Sequence, residues 1–378
     1  MAIMRVLGLM SGTSADGVDA VLAEFWGSPR APRWRIEQSA FHPYPAELRQ
    51  HLIAVGQGDA RNSAQLLELA EAISEAQAAA ANACDPEGRA ELVGCHGQTI
   101  WHRPPASNKR GASWQLLQGP LLAQLLHRPV VFDFRAQDLA LGGQGAPLVP
   151  PCDEALLGRT GGWRALLNLG GIANLTLIPP ASGPGSREPV RGWDCGPANT
   201  LLDLAVHQFS GGTQTHDADG NWALAGRVHE PLVQRWLQEP YLQQPPPKST
   251  GRELFGRPDL QRRLKEMERA GAEPTDALAT LAAFSAAAVA QDLARGPRPI
   301  ELLVAGGGAR NGALTRELRW RCTGMAVRPL EALGIADSQR EALAFALLAW
   351  WHWRGVPGSA PSVTGAKRAA VLGVCARP

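Results

Sequence analysis

The sequence predicts an α/β protein made of two duplicated domains, and three of its features lead there. An apolar strand, a small polar turn and a second apolar strand run through residues 5–25, and the same shape returns at 165–178. Strand-like and helix-like stretches alternate after each of these hairpins, as they do in α/β domains. At 378 residues the chain is long enough for two domains that each bury a core.

Taken in order, the first hairpin holds Ser11, Gly12, Thr13, Ser14, Asp16 and Gly17 between its strands. Gly12 and Gly17 are expected to allow positive φ and close approach of the backbone. Successive N–H groups with the Thr13 and Ser14 hydroxyls would then make an anion-binding concavity. An ordinary hairpin turn uses the same residue types, and no Gly-Lys-Ser/Thr follows, so this is not a Walker loop. An extended stretch at 34–41 ends in His42-Pro-Tyr-Pro45, and a helical pattern covers 46–83. A strand at 91–100, a helix at 119–126 and a strand at 129–134 complete the first half. Residues 140–150 read as a boundary loop.

The second half begins with the hairpin 165–178, whose turn carries Gly170 and Gly171. A surface loop at 181–188 and a strand ending at Gly192-Trp-Asp-Cys-Gly-Pro-Ala-Asn199 follow, then a helix at 200–207. The proline-rich run 243–252 reads as a rigid, exposed loop. Helix 275–294 precedes a third glycine turn, Gly306-Gly-Gly308, between the strand starting at Glu301 and a helix after Asn311. Helix 339–354 and a polar turn at 361–366 end the chain.

Hydrophobic residues make up 45% and charged residues 19%, values typical of a soluble globular protein. A net charge of +2 gives no field that would direct the chain to nucleic acid or an anionic membrane. Six scattered cysteines without a Cys-x-x-Cys pair argue for reduced thiols and against a zinc site. The longest apolar run, 342–351, is about half of what a bilayer needs, so a cytoplasmic location is expected.

Three glycine turns after apolar strands, in two echoing halves, fit two phosphate hairpins and a third loop beneath a nucleoside. Without Gly-x-Gly-x-x-Gly and a downstream acid, a dinucleotide fold is disfavoured. Asp194, at a strand end before Gly196 and Pro197, suits either a cleft carboxylate or the cap of the next helix. Ser338-Gln-Arg-Glu341 has the form of a capping box.

Seven segments then occur in one order: Met10-Ser-Gly-Thr-Ser-Ala-Asp-Gly-Val-Asp19, Gly94-Cys-His-Gly-Gln-Thr99, Gly142-Gly-Gln-Gly-Ala-Pro147, Asn168-Leu-Gly-Gly-Ile-Ala-Asn174, Asp194-Cys-Gly-Pro-Ala-Asn199, Lys248-Ser-Thr-Gly-Arg-Glu253 and Ser362-Val-Thr-Gly-Ala366. Through them the chain resembles, over essentially its whole length, the anhydro-N-acetylmuramic acid kinases of bacterial cell-wall recycling. The resemblance implies two duplicated actin/hexokinase/Hsp70-like (ribonuclease H-like) domains around a nucleotide cleft. The expected boundaries are 1–138 plus about 345–378 for the first domain and 139–344 for the second.

It further implies ATP and Mg²⁺ as cofactors, an amino-sugar substrate and a homodimer. Water would open the 1,6-anhydro ring while O6 takes the γ-phosphoryl group. A kinase of the same fold acting on another amino sugar is the alternative. A nucleotide-gated sensor is disfavoured, since no helix-turn-helix precedes the first strand. Asp194 matches the family's base, and Glu341 has a counterpart near the nucleotide. Gly12, Thr13, Ser14, Ala15, Asp16, Gly17, Val18 and Asp19 match the ATP-phosphate segment, with Asp16 or Asp19 holding Mg²⁺ through water. Gly170, Gly171, Asn174, Gly306, Gly307, Gly308 and Asn311 complete the expected ATP contacts. His96, Gln98 and Thr99 would face the sugar, and Arg135 would pair with the lactyl carboxylate. The chain departs from the family at Cys195, where Thr is usual and a hydrogen bond to Asp194 is in question. It departs again at the run Leu117-Gln-Gly-Pro120, since the family often has an Asp after Ile-Gly near Gly119.

Overall fold

The structure is a computed structural model that describes residues 2–106, 108–158, 161–246 and 248–378. The chain divides into two compact units, residues 1–159 with 338–378, and residues 160–337.

In the first unit, β1 (Met4–Ser11) and β2 (Gly17–Ser28) form the opening hairpin, and β3 (Ala31–Pro43) extends it antiparallel. Two helices then lead to β4 (Leu92–Arg103), which returns parallel to β1. A short β5 (Ala112–Leu116) folds back on β4, and β6 (Val130–Phe132) lies parallel to β4 on the edge away from β1. In the second unit, β7 (Arg164–Leu169), β8 (Ile172–Ile178) and β9 (Arg191–Pro197) form an antiparallel series. β10 (Glu301–Ala305) is parallel to β7, and β11 (Ala326–Pro329) is parallel to β10. Finally β12 (Val374–Ala376) joins the first sheet beside β6.

The strand orders β3-β2-β1-β4-β6 and β9-β8-β7-β10-β11 are therefore the same, with the same sequence of antiparallel and parallel pairs. This is the duplication expected from the hairpin echo, now carried through five strands per unit. Each unit has its own apolar core. In the first it includes Leu7, Leu9, Val18 and Ile73. In the second it is built on the Pro274–Leu293 helix, whose alanines let it pack closely against the sheet and its neighbours.

Several sequence expectations need correction. The helical stretch 46–83 is two helices, Ala46–Gly56 and Ser63–Cys84. The second starts with a capping box in which Asn62 and Gln65 satisfy each other's backbone N–H groups. The domain boundaries also move. Residues 139–158 belong with the first unit, where Arg340 pairs with Asp153 at 2.6 Å and Trp34 Nε1 donates to the Leu156 carbonyl. The chain returns to that unit at Ser338 because the Asp337–Trp353 helix lies against β1 and β4. A Cβ on Gly8 would stand 1.9 Å from the Ala342 carbonyl oxygen, and one on Gly94 2.2 Å from that of Phe345. Only glycine permits that approach.

The same helix begins at Asp337, ahead of Ser338, so Ser338 is not the N-cap expected of a capping box. The 243–252 run is not exposed throughout, since Lys248 is buried. All six cysteines are free thiols, as expected. Among the described residues no helix is long and apolar enough to cross a membrane.

Candidate active site

In the first unit, the β1–β2 turn is closed by the Ala15 N–H donating to the Gly12 carbonyl, and Thr13 and Ser14 are exposed. Positive φ falls on Ala15, at 52°, and on neither Gly12 nor Gly17, contrary to expectation. Gly17 is glycine for packing, because its Cβ would lie 2.3 Å from the His42 carbonyl oxygen. A Cβ on Gly12 would meet nothing nearer than the Ser14 hydroxyl at 3.8 Å. Space at Gly12 is thus open to something other than this chain. Asp16 is bonded by Arg49 at 2.7 Å on the surface. Asp19 sits half-buried in β2, paired with Met10 across the hairpin.

The segment predicted to face the sugar abuts this turn. The Gln98 amide donates to the Gly12 carbonyl at 3.0 Å, and its own oxygen is buried without a partner. Ser11 donates to the Gly97 carbonyl, and Gln77 links Ser11 to Tyr44. Thr99 accepts a bond from Gln115. His96 is buried against Phe345, ring centroids 4.7 Å apart, and its Nδ1 lies 2.8 Å from the Gly97 carbonyl. Arg135 donates to His96 Nε2 and to the Gly145 carbonyl. Burial first, and Arg135 second, pull the His96 pKa down to about 3, so the ring is neutral and its tautomer is set by these two partners. Burial lowers the Arg135 pKa from its usual value while the charge of exposed Glu341 opposes that shift. The structure thus brings His96, Arg135 and Glu341 into one electrostatic group.

Sequence reasoning missed the clasp beside them. Buried Asp138 accepts from the Gly145 N–H at 2.8 Å and the Thr364 hydroxyl at 2.7 Å. It ties the 142–147 and 362–366 segments together.

In the second unit, Asp194 lies within β9 and does not cap the following helix, whose N-cap is Ala198. Register places it opposite Asn174. Asn174 Nδ2 donates to Asp194 Oδ1 at 2.9 Å, while the Ser249 hydroxyl and the Thr250 N–H each donate to Oδ2 at 3.0 Å. Its backbone is held too: its N–H donates to the Lys248 carbonyl, and Tyr241 donates to its carbonyl. The carboxylate is half-buried, fixed on both oxygens and still partly open to solvent. Cys195 is wholly buried among core residues, its thiol pushed well up by burial and by Asp292. Among the described contacts it makes no hydrogen bond to Asp194, so the substitution falls on the core side of the strand.

The glycine turns of this unit line two cavities, of about 440 and about 620 Å³, that share Asn199, Asp203, Thr215 and Gly307. Gly170 and Gly171 line the larger, and Asn311 lines the smaller. A Cβ on Gly307 would meet no atom within 4 Å, and one on Gly170 none nearer than 3.7 Å. Gly171, Gly306 and Gly308 are different, since a Cβ there would stand 2.6–2.7 Å from Thr200, Asn168 and Leu169 atoms respectively. Asn311 caps the Gly312–Arg321 helix through Ala313 and Leu314. Asp337 accepts from the Gly306 N–H. Asp203, unread in the sequence, has its pKa raised to about 6 by burial at the cavity wall. An isolated Asp in a helical stretch gave no signal.

Two units of one strand order, each opening on a hairpin with a glycine turn, make a duplicated α/β fold. Residues 4–377 match the family model of anhydro-N-acetylmuramic acid kinase, and the chain belongs to that family. It is 63% identical over 380 residues to the anhydro-N-acetylmuramic acid kinase of Parasynechococcus marenigrum (strain WH8102), covering 99% of this chain and 100% of the relative. The corresponding protein of Prochlorococcus marinus (strain MIT 9303) is also 63% identical with the same coverage, and that of strain MIT 9211 is 55% identical. A ROK family glucokinase from Streptomyces griseus, solved with glucose and AMPPNP, is 18% identical at a TM-score of 0.37, covering 92% of this chain and 99% of that one.

Proposed function

We propose that this chain phosphorylates 1,6-anhydro-N-acetylmuramate with ATP and opens its anhydro ring with water, yielding N-acetylmuramate 6-phosphate and ADP for peptidoglycan recycling. Family membership across residues 4–377 carries this reading. The water oxygen bonds to C1 as the C1–O6 bond breaks. O6 then bonds to the γ-phosphorus as the bond to the β,γ-bridging oxygen breaks. The water's proton goes first to a carboxylate and then to solvent.

Asp194 is that carboxylate. Support comes from its three fixed donors, which orient it without covering it, as a general base acting on water requires. Asn174 acts in this reading through Asp194. The open glycines Gly12, Gly170 and Gly307 support backbone contact with the nucleotide, and the exposed Thr13 and Ser14 hydroxyls support phosphate contact. The two cavities are wide enough in sum for the adenosine. Gln98, through its unpartnered oxygen, and the neutral His96 with Thr99 would orient the sugar, while Arg135 keeps N–H groups for the lactyl carboxylate. The charge of Glu341 opposes the burial that lowers the Arg135 pKa.

Mg²⁺, when bound with the triphosphate, neutralises charge on the β- and γ-phosphates. It takes most of its ligands from phosphate and water, so one carboxylate acting through water suffices. Among the described residues no group of three or more candidate ligands exists, and Asp16 already has Arg49. The reading includes a cytoplasmic homodimer, for which light scattering would give twice 40.3 kDa.

The test is direct. With ATP and the anhydro sugar, ion-exchange chromatography and mass spectrometry are expected to give one ADP per N-acetylmuramate 6-phosphate. Turnover with N-acetylglucosamine or glucose but none with the anhydro sugar would overturn the assignment.

A further inference from the structure

Beneath Asp194 lies a buried ion pair that no step of the proposed reaction uses. Lys248 Nζ stands 3.0 Å from both carboxylate oxygens of Asp292, and the two side chains are 2% and 1% exposed. Asp292 belongs to the Pro274–Leu293 helix and also accepts from Trp193 Nε1 at 3.1 Å and Arg295 at 3.2 Å. Lys248 lies under the Tyr241 ring, 5.0 Å from its centroid. Four groups that hold Asp194 thus follow from this one anchor. The Lys248 carbonyl takes the Asp194 N–H, the next two residues supply the Ser249 hydroxyl and the Thr250 N–H, and Tyr241 holds the Asp194 carbonyl. A charge pair taken wholly out of water gains little net stability, so its retention asks for another reason.

We infer that Lys248 and Asp292 are positioning residues: their ion pair fixes the 248–250 loop on the helix and so fixes the direction in which the Asp194 carboxylate points. The inference rests on the proposed role of Asp194 as base. Among the described residues the partners of the pair include Trp193, Tyr241 and Arg295, none of which lines the two cavities, so its loss is expected to lower turnover more than ATP binding.

The test is a double-mutant cycle in the full-length enzyme. Lys248→Met/Asp292→Asn removes both charges and leaves neither one buried alone. It is expected to lower kcat about tenfold to hundredfold, as a sub-ångström to 1 Å misplacement does, with KM for ATP unchanged. In an Asp194→Asn background the same pair of changes is expected to cost nothing further. Wild-type kcat in the neutral-pair variant overturns the inference, as does a loss that adds fully to that of Asp194→Asn. Should the neutral pair not fold, Lys248→Arg run through the same cycle decides between the same outcomes. If Asp194→Asn alone retains full turnover, the base assignment itself fails, which is a different result from additivity.

Discussion

The β1–β2 turn and the β7–β8 turn hold the same place in the same strand order, yet they are built for different work. The first spans five residues, leaves two hydroxyls exposed and keeps the Cβ side of Gly12 open to within 3.8 Å of the Ser14 hydroxyl. The second is two glycines whose carbonyls are taken by the Ala198, Asn199 and Thr200 N–H groups at the start of the next helix. Its chemistry comes from the adjacent strand, where Asp194 is bonded by Asn174 across the pair. Duplication copied a scaffold, and the side chains at the turns then diverged. In the proposed reading the first unit offers donors for an anion and the second an acceptor for a proton.

The sharpest break of that comparison is Asp194→Asn. It is expected to cost about 10²–10⁴-fold in kcat and to leave ATP affinity unchanged in calorimetry. Weakened ATP binding with normal kcat would move Asp194 into the phosphate group. The glycines separate next. Gly306→Ala must take up φ +84° and meet Asn168, so a loss of about 1–3 kcal/mol is expected in urea unfolding. The Cβ of Gly12→Val would stand no nearer to another atom than 3.8 Å, from the Ser14 hydroxyl, so its midpoint should hold while ATP affinity falls about tenfold, or about 1.4 kcal/mol. A Gly12→Val protein that unfolds early but binds ATP normally would make Gly12 a packing residue.

Acid behaviour follows from His96. Its folded pKa of about 3 lies below the ordinary value of 6.5, so the unfolded chain binds the extra proton first. Stability is full above 6.5 and is lost as pH falls toward 3. Between pH 7 and 5 the wild type should lose about 2 kcal/mol more than His96→Gln, read from urea midpoints. Equal losses would place His96 in a solvated setting. The smallest effect on stability is expected at Asp16→Asn, which breaks only a surface pair worth about 0–1 kcal/mol, read from urea midpoints.

The hairpins were legible because glycine and hydroxyl residues between two apolar runs have few other uses. Asp194 was legible as an acid of that strand, although it lies inside β9 and not at its end, and the role proposed for it came from the resemblance. Its holders were not legible. Lys248, Ser249 and Thr250 stand more than 50 positions away, behind prolines that read as an exposed loop, and no local pattern marks a lysine that will be buried against Asp292. Asp138 was hidden for the same reason, since its partner Thr364 lies 226 residues on. The Asn62–Gln65 capping box was local and readable, and it explains the helix break at 57–62 that periodicity alone passed over. The expected domain limits differ from the compact units at the Asp337–Trp353 helix, because its packing against β1 and β4 is not written in its local sequence.

The division of labour between the units comes down to which oxygen Asp194 activates. Turnover of the wild-type enzyme in ¹⁸O-water, with mass-spectrometric fragmentation of the sugar phosphate, reads this out. The account predicts one ¹⁸O on C1 and none in the phosphoryl group. Label in the phosphoryl group, or product that carries none at C1, would contradict it.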